Sequence, residues 1–337
     1  MDNEHLVSII MPVHNSEQHI TPAIDSILAQ TYSNWELIII DDGSTDCSPS
    51  ICKAFASLDN RITLLHNTSS IHDPGTARNI GLDHMHGQYL FFMDSDDWIE
   101  PDLLQNALDT LLKSNSDLVQ FGFFDEHSSK QISHVPPLPK EVITRQEIQQ
   151  DFLTFWNHTR FSLWMYLFKT SLIGSLRFQA ALNGEDISFM MDVFCSVNQL
   201  SYLSKPLYHY RILEGSVSHK WIDHTIEYRC MIWHHEKKFL DSFHDNITED
   251  VYAELAISNY IWAAYHLCAK YCPLTLKQKK SKLELAEKEI QLSIYRKQCT
   301  LKNHSGLEKI KYALVKFHLE YLMLLLGPVF LRVIRNE

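Results

Sequence analysis

Apolar residues fall along the first 125 positions in two alternating rhythms. Short β-rich runs occupy Leu6–Met11, Trp35–Ile40, Ile62–Leu65, Tyr89–Met93 and Leu118–Phe123. Between them, Ile20–Gln30, Ser48–Ser57, Thr76–His86 and Pro101–Lys113 carry apolar residues at helical spacing. Short strands alternating with helices of about ten residues predict βαβ units and a mostly parallel sheet. The run Ile38-Ile39-Ile40 is apolar on both sides of the pleat, which fits a strand covered on both faces.

The pattern changes after residue 125. Residues 126–145, which include Pro136-Pro137-Leu138-Pro139, read as a loop. A helix is expected near Arg145–Trp156, a strand near Leu163–Phe168, a helix over about Glu185–Asn198 and a strand near Tyr202–Tyr210. From Ile222 the pattern is helical to the end, with breaks near Pro273, at Asn303–Gly306 and at Gly327-Pro328. The expected division is an α/β domain over 1–221, in halves of about 1–125 and 126–221, and a helical region over 222–337. No internal repeat is visible.

Charge sharpens that division. The net charge is −11, but residues 270–337 hold 14 Lys and Arg against 6 Asp and Glu, a net +8, while residues 1–269 carry −19. An acidic body with a basic tail does not fit a nucleic-acid-binding domain. It suits a metal-using catalytic part joined to a segment that meets an anionic surface, or a solvated basic helix. The 7 cysteines contain no CxxC pair, and no secretory signal precedes the first apolar run, so reduced thiols and a cytoplasmic location are expected. The most apolar stretch, Tyr321–Leu331, has 11 residues, short of the ~20 needed to span a bilayer. Lys309, Lys311 and Lys316 before it and Arg332 and Arg335 after it suit an interfacial helix on the cytoplasmic face of the inner membrane. Packing within the tail's own helices, or docking to a partner or a second copy, is the alternative.

Chemistry-bearing residues gather after the strands, where an open parallel sheet binds its ligands. Pro12-Val13-His14-Asn15 follows the first strand, Asp41-Asp42-Gly43-Ser44-Thr45-Asp46 the second, and Asp94-Ser95-Asp96-Asp97 the run at Tyr89–Met93. Each cluster alone reads as turn punctuation. Three at successive strand ends would concentrate carboxylates that repel one another unless a cation neutralises them. Hard oxygen ligands without nearby cysteine favour Mg²⁺ or Mn²⁺, with phosphate oxygens completing the shell. There is no Walker-type glycine loop and no GxGxxG after the first strand.

Val7–Asn15, Ile38–Asp46, Ala77-Arg78-Asn79-Ile80-Gly81-Leu82 and Tyr89–Pro101 together resemble the family-2 glycosyltransferases of the GT-A fold. Farther on, Asn183-Gly184-Glu185-Asp186 resembles that family's catalytic motif. Tyr208-His209-Tyr210-Arg211 with Gly215-Ser216-Val217-Ser218 resembles its closing segment. The resemblance implies a nucleotide-binding half over about 1–125 and a half holding acceptor and base over 126–221. It implies that Pro12 and His14 line the nucleotide pocket and that Asp42 accepts a hydrogen bond from uracil. Arg78 would lie near the phosphates and Asp97 near the donor sugar, with Asn15, Ser95 and Arg211 completing the donor set. Asp94 and Asp96 would form the metal-binding DxD pair, with His219 a further ligand and His209 a group for the diphosphate or metal. Asp186 would be the general base, and Glu185 would contact sugar hydroxyls. His14 departs from the usual aromatic residue, and Ile71-His72-Asp73-Pro74-Gly75 from a glycine-rich loop.

The implied reaction moves a sugar from a UDP-sugar to a hydroxyl of a glycan or lipid-linked acceptor, with inversion, in bacterial surface-polysaccharide synthesis such as capsule or lipopolysaccharide. A sugar-nucleotide nucleotidyltransferase would need a glycine-rich basic loop, which Met11–His19 lacks. A scaffold of the same fold that has lost its chemistry is the non-enzymatic alternative.

Overall fold

The computed structural model describes residues 5–127, 130–136, 140–179, 184–212, 224–244, 246–269, 272–299, 301, 304, 306–319, 321, 322 and 324. The chain divides into two compact units, one ending at Glu214 and the other beginning at Gly215.

In the first unit the expected alternation is realised as β1 (Val7–Val13), α1 (Ile20–Leu28), β2 (Trp35–Asp41), α2 (Ser48–Leu58), β3 (Ile62–His66), α3 (Pro74–His84) and β4 (Tyr89–Phe92). Then follow β5 (Trp98–Ile99), α4 (Leu103–Ser114), β6 (Leu118–Glu126), β7 (Gln131–His134) and β8 (Val142–Thr144). After these come α5 (Arg145–Gln150), α6 (Phe152–His158), β9 (Tyr166–Lys169), α7 (Thr170–Ile173), α8 (Glu185–Phe194) and β10 (Gln199–Arg211).

The strands form one sheet in the order β3-β2-β1-β4-β9-β6-β10-β5, with β7 on β6 and β8 on β10. Its first four strands are parallel, as the βαβ pattern requires. Beyond them β9 runs antiparallel to β4 and β6, and β5 antiparallel to β10. Ile9, Ile10, Leu37, Ile39, Ile40, Leu90 and Phe91 have no exposed surface, so the centre of the sheet is covered on both faces. α3 packs on β1 and β2. A Cβ at Gly81 would stand 2.5 Å from Ile10 Cγ2, so helix and strand approach more closely than any side chain allows. Asp73 caps α3, accepting from the Thr76 amide at 3.0 Å, and Pro74 sits in the first turn, where its missing N–H costs nothing.

Two local expectations are corrected, and one strand carried no expectation. Residues 126–145 contain β7 and β8, which lack a hydrophobic pattern because they are edge strands held by pairing to β6 and β10. The helix expected over Arg145–Trp156 is two helices meeting at Asp151, which ends α5 and caps α6. β5 has two residues, too short for any periodic signal.

The second unit is helical, with α9 (Thr225–Asp241), α10 (Glu249–Cys268), α11 (Leu276–Glu289), α12 (Leu292–Tyr295) and α13 (Gly306–Lys316). α10 contacts the other four. Trp233, Phe239, Tyr260, Ala263, Ala264, Leu267, Leu283 and Val315 are buried between them. The breaks expected near Pro273 and at 303–306 separate α10 from α11 and α12 from α13. No described helix is long and apolar enough to cross a membrane. Gly327-Pro328, Arg332 and Arg335 lie outside the described residues, as do Asn183, Gly215-Ser216-Val217-Ser218 and His219.

Candidate active site

Because β1, β2 and β4 are parallel neighbours, the loops after them leave the sheet at one edge. Val13 is level with Asp41, and Ile10 with Phe92. These loops are stitched together. Asn15 adopts a left-handed turn at φ 50°, and its side-chain carbonyl accepts from the Thr45 amide at 2.8 Å. The Ser16 and Ser95 hydroxyls share a hydrogen bond of 2.7 Å, and the Ser16 amide donates to Ser48 Oγ at 2.8 Å. Asn15 and Ser95, expected to meet the donor, also hold loop to loop.

Asp42 lies at the end of β2 and is 5% exposed. Its Oδ1 accepts from Asn67 Nδ2 at 2.6 Å and from His72 Nδ1 at 3.1 Å. His14, exposed beside it, donates Nδ1–H to the Asp42 carbonyl at 2.9 Å, and Asn15 Nδ2 donates to its Nε2 at 3.1 Å. Pro12 is half-buried near the end of β1.

Arg78 projects from α3 and joins two distant parts of the chain. It donates to Asp94 Oδ1 and to Glu185 Oε1, each at 3.0 Å, with only 6% of its surface exposed. Burial opposes its charge, but Asp94, Glu185 and Asp186 outweigh that and raise its pKa. Its Nε is buried without a partner. The neighbouring Asn79 pairs with both backbone groups of Phe178, accepting from its N–H at 2.8 Å and donating to its carbonyl at 2.9 Å. α3 is thus tied both to the acidic loop after β4 and to the approach to α8.

α8 begins at Gly184, whose φ of 87° is the left-handed geometry glycine tolerates best. Glu185 and Asp186 occupy its first turn, where the helix dipole favours negative charge. Asp186 is nevertheless held well above the usual carboxylate range, first by burial and then by the Glu185 charge, with Arg78 opposing. A carboxylate whose proton affinity is raised in this way is equipped to accept a proton.

The acidic loop splits between two environments. Burial pushes the Asp96 carboxyl up to about 6, and the Asp94 charge adds to the rise. Asp97, expected near the donor sugar, is instead 1% exposed. Its Oδ2 accepts from the Tyr208 hydroxyl at 2.6 Å and its Oδ1 from the Arg211 amide at 2.7 Å. Burial, reinforced by Asp96 and Asp94, raises its pKa strongly. Arg211 also donates Nε–H to the Asp96 carbonyl at 2.8 Å and lies 4.6 Å over the Trp98 ring.

Asp94 and Asp96 are hard oxygen donors, and the raised Asp96 carboxyl marks negative charge that its surroundings leave uncompensated. That donor chemistry fits Mg²⁺ or Mn²⁺. Among the described residues no group of three His, Cys, Asp or Glu is arranged to hold a metal by itself, so ligand oxygens would complete the shell. His209, read as a group for diphosphate or metal, is withdrawn from both. It is buried, with Glu126 and Glu100 at its two ring nitrogens.

Sequence reasoning missed Asn67, His72 and Asn79 as supports of the site. Asn79 lies inside the quoted motif Ala77–Leu82, but its partner Phe178 is 99 residues away, and no local pattern announces such a pairing. Tyr208 was visible in its motif, without the signal that its hydroxyl is spent on Asp97.

Residues 8–175 match glycosyl transferase family 2. Glycosyltransferase GlyA of Streptococcus pneumoniae is 33% identical over 64% of this chain, which spans about a third of that relative (32%). An uncharacterized glycosyltransferase of Haemophilus influenzae is 35% identical over 68% of this chain and 86% of its own length. WfgD of Escherichia coli, a UDP-Glc:alpha-D-GlcNAc-diphosphoundecaprenol beta-1,3-glucosyltransferase, is 42% identical over 34% of this chain and 44% of its own. Among solved structures, residues 1–349 of S. aureus TarS in complex with UDP superpose with a TM-score of 0.67 at 17% identity, covering 98% of this chain and 92% of that one. With an acidic loop at the sheet edge, an acid pair opening a helix across from it, and a relative matched over most of its length, this chain belongs to glycosyl transferase family 2 and has the GT-A fold.

Proposed function

We propose that this enzyme transfers a sugar from a UDP-sugar to a hydroxyl of a glycan or lipid-linked acceptor in the synthesis of a bacterial surface polysaccharide. The observation that carries the reading is the Arg78 bridge. It brings the acidic loop that would receive the donor and the helix start that holds the base into one site. The buried, unpartnered Arg78 Nε is a group that a bound diphosphate would satisfy. The UDP bound to TarS and the UDP-Glc named for WfgD support uracil as the base. Asp42, pinned by Asn67 and His72, is the acceptor for a base N–H.

A divalent cation on Asp94 and Asp96 would supply neutralisation of the charge that develops on the leaving diphosphate. Arg78 and Arg211 add fixed positive charge beside the same loop. Asp186 takes the proton of the acceptor hydroxyl as that oxygen attacks the anomeric carbon. Its position on α8, apart from the acidic loop, suits a single displacement with inversion. Glu185, kept by Arg78, orients sugar hydroxyls next to the base.

The division of the chain into a catalytic part over 1–221 and a helical part over 222–337 is part of this reading. In the helical part, Ile310, Phe317, Leu319 and Leu322 are exposed near Lys309, which supports peripheral contact with an anionic membrane surface. A panel of UDP-, GDP- and dTDP-sugars with Mn²⁺ tests the reaction. Release of free UDP with an acceptor present is expected. In a parallel assay with a nucleoside triphosphate and a sugar 1-phosphate, release of pyrophosphate would mean nucleotidyl transfer, and no release in either assay would leave an inactive scaffold.

A further inference from the structure

Three strands place three rings in one row across the sheet. On β10, His209 is level with Phe124 of β6 on one side and Trp98 of β5 on the other. The imidazole is stacked on both, 4.7 Å from Phe124 at 21° and 4.8 Å from Trp98 at 10°. Its two nitrogens point at two carboxylates. Nδ1 is 2.7 Å from Glu126 Oε1 and Nε2 is 2.9 Å from Glu100 Oε1. A carboxylate only accepts, so both hydrogen bonds exist only if both nitrogens carry protons.

We infer that His209 works as a buried imidazolium that positions the donor-binding loop, a role that rests on the diphosphate-donor reading above. The charged groups around it are Glu100 beyond β5, Glu126 at the end of β6 and Arg211 two residues along β10. Arg211 is level with Glu126, and burial of that carboxyl is outweighed by hydrogen bonds from His209 and Gln131 and by the His209 and Arg211 charges, so its pKa is lowered. With the imidazolium, two negative and two positive charges balance. Loss of one imidazole proton leaves a net negative charge behind Arg211, and Glu100 or Glu126 loses its donor. Arg211 carries the backbone of Asp96 and holds Asp97, so the disturbance reaches the loop that receives an anionic donor. The flat rings of Trp98 and Phe124 favour the cation by stacking and leave little room for water to replace a lost hydrogen bond.

The direct test is nuclear magnetic resonance of the full chain labelled with ¹⁵N in its histidine rings. Both nitrogens of His209 are expected to show attached protons at neutral pH, assigned by the signal that disappears in His209→Gln. A single attached proton would overturn the inference. The kinetic test compares donor KM and kcat for wild type and His209→Gln across pH. The wild-type donor KM is expected to rise on the alkaline side. The variant, with one donor in place of two, is expected to show roughly a tenfold higher KM at neutral pH, kcat within about twofold, and no alkaline rise. An unchanged KM, or an alkaline rise that persists in the variant, would refute the role. If no sugar donor is turned over at any pH, the donor reading fails while the nitrogen spectrum still decides the charge of His209. If the variant does not fold, the wild-type spectrum decides it too, assigned by its coupling to the neighbouring Trp98 and Phe124 rings.

Discussion

From β3 through β4 the sheet is parallel, and its loops carry Asp42, Asp94 and Asp96 at one edge. From β9 to β5 it is mixed, with β10 parallel to β6, while β9 and β5 run antiparallel to their neighbours. β10 reaches back to hold those loops, with the Tyr208 hydroxyl and the Arg211 amide on Asp97 and the Arg211 guanidinium on the Asp96 carbonyl. Asp96 and Asp97 are adjacent in sequence but belong to opposite sides of this division. One is a half-buried carboxyl raised by burial and the Asp94 charge, and the other is consumed inside the protein. Residue type alone does not distinguish them. What distinguishes them is the strand that comes to meet each one.

Removing the proposed base should have the largest effect. Asp186→Asn is expected to slow transfer by about 10²–10⁴-fold, because a positioned base contributes about that much. UDP affinity, measured by calorimetry, should stay within a few-fold. Full turnover by this variant would move the base elsewhere. Next, Arg78→Ala cuts the tie between the acidic loop and α8. It leaves Asp94 and Glu185 without their buried cation and should cost about 3–5 kcal/mol in urea unfolding. Arg78→Lys should rescue only part of this, since a point charge cannot reproduce the two-armed contact.

The two neighbouring acids make a sharper comparison. Asp97→Ala strands the Tyr208 hydroxyl and the Arg211 amide and should cost about 1–3 kcal/mol. Asp96→Asn should instead raise the melting temperature of the metal-free protein at pH 7. The sign follows from the raised pKa. Folded protein holds the Asp96 proton up to about pH 6, while the unfolded chain releases it near the ordinary carboxyl value of 3.8. Stability therefore falls as pH rises through that window, and the amide abolishes the loss. Loss of cation-dependent stabilisation in the same variant would identify Asp96 as a ligand. Smallest in scope is Gly81→Ala, whose methyl would meet Ile10 and should cost about 1–3 kcal/mol with kcat unaffected. Thermal unfolding that matched wild type would show that α3 can withdraw from β1.

Much of the donor half was legible because its information is local. Apolar runs marked β1 to β4, and the acidic clusters directly followed them, where parallel topology places a site. The second half was harder to read. β7 and β8 have sequences that only their partners turn into strands, and β5 consists of Trp98 and Ile99. Asn67 looked like an ordinary polar residue, and Asn79 and Tyr208 stood inside recognisable motifs with no sign of their partners, since their value depends on groups distant along the chain.

By itself, the sequence determined which strands form the parallel core, which loops carry carboxylates and which helix begins with Glu185-Asp186, all consequences of spacing over a few residues. Tertiary structure alone decided how those carboxylates divide their tasks. Whether an acid is neutralised, buried or left facing a ligand depends on the charges and donors brought within hydrogen-bonding distance. Those arrive from Arg78, Tyr208, His209 and Arg211 through strand order and helix packing, which no local pattern encodes.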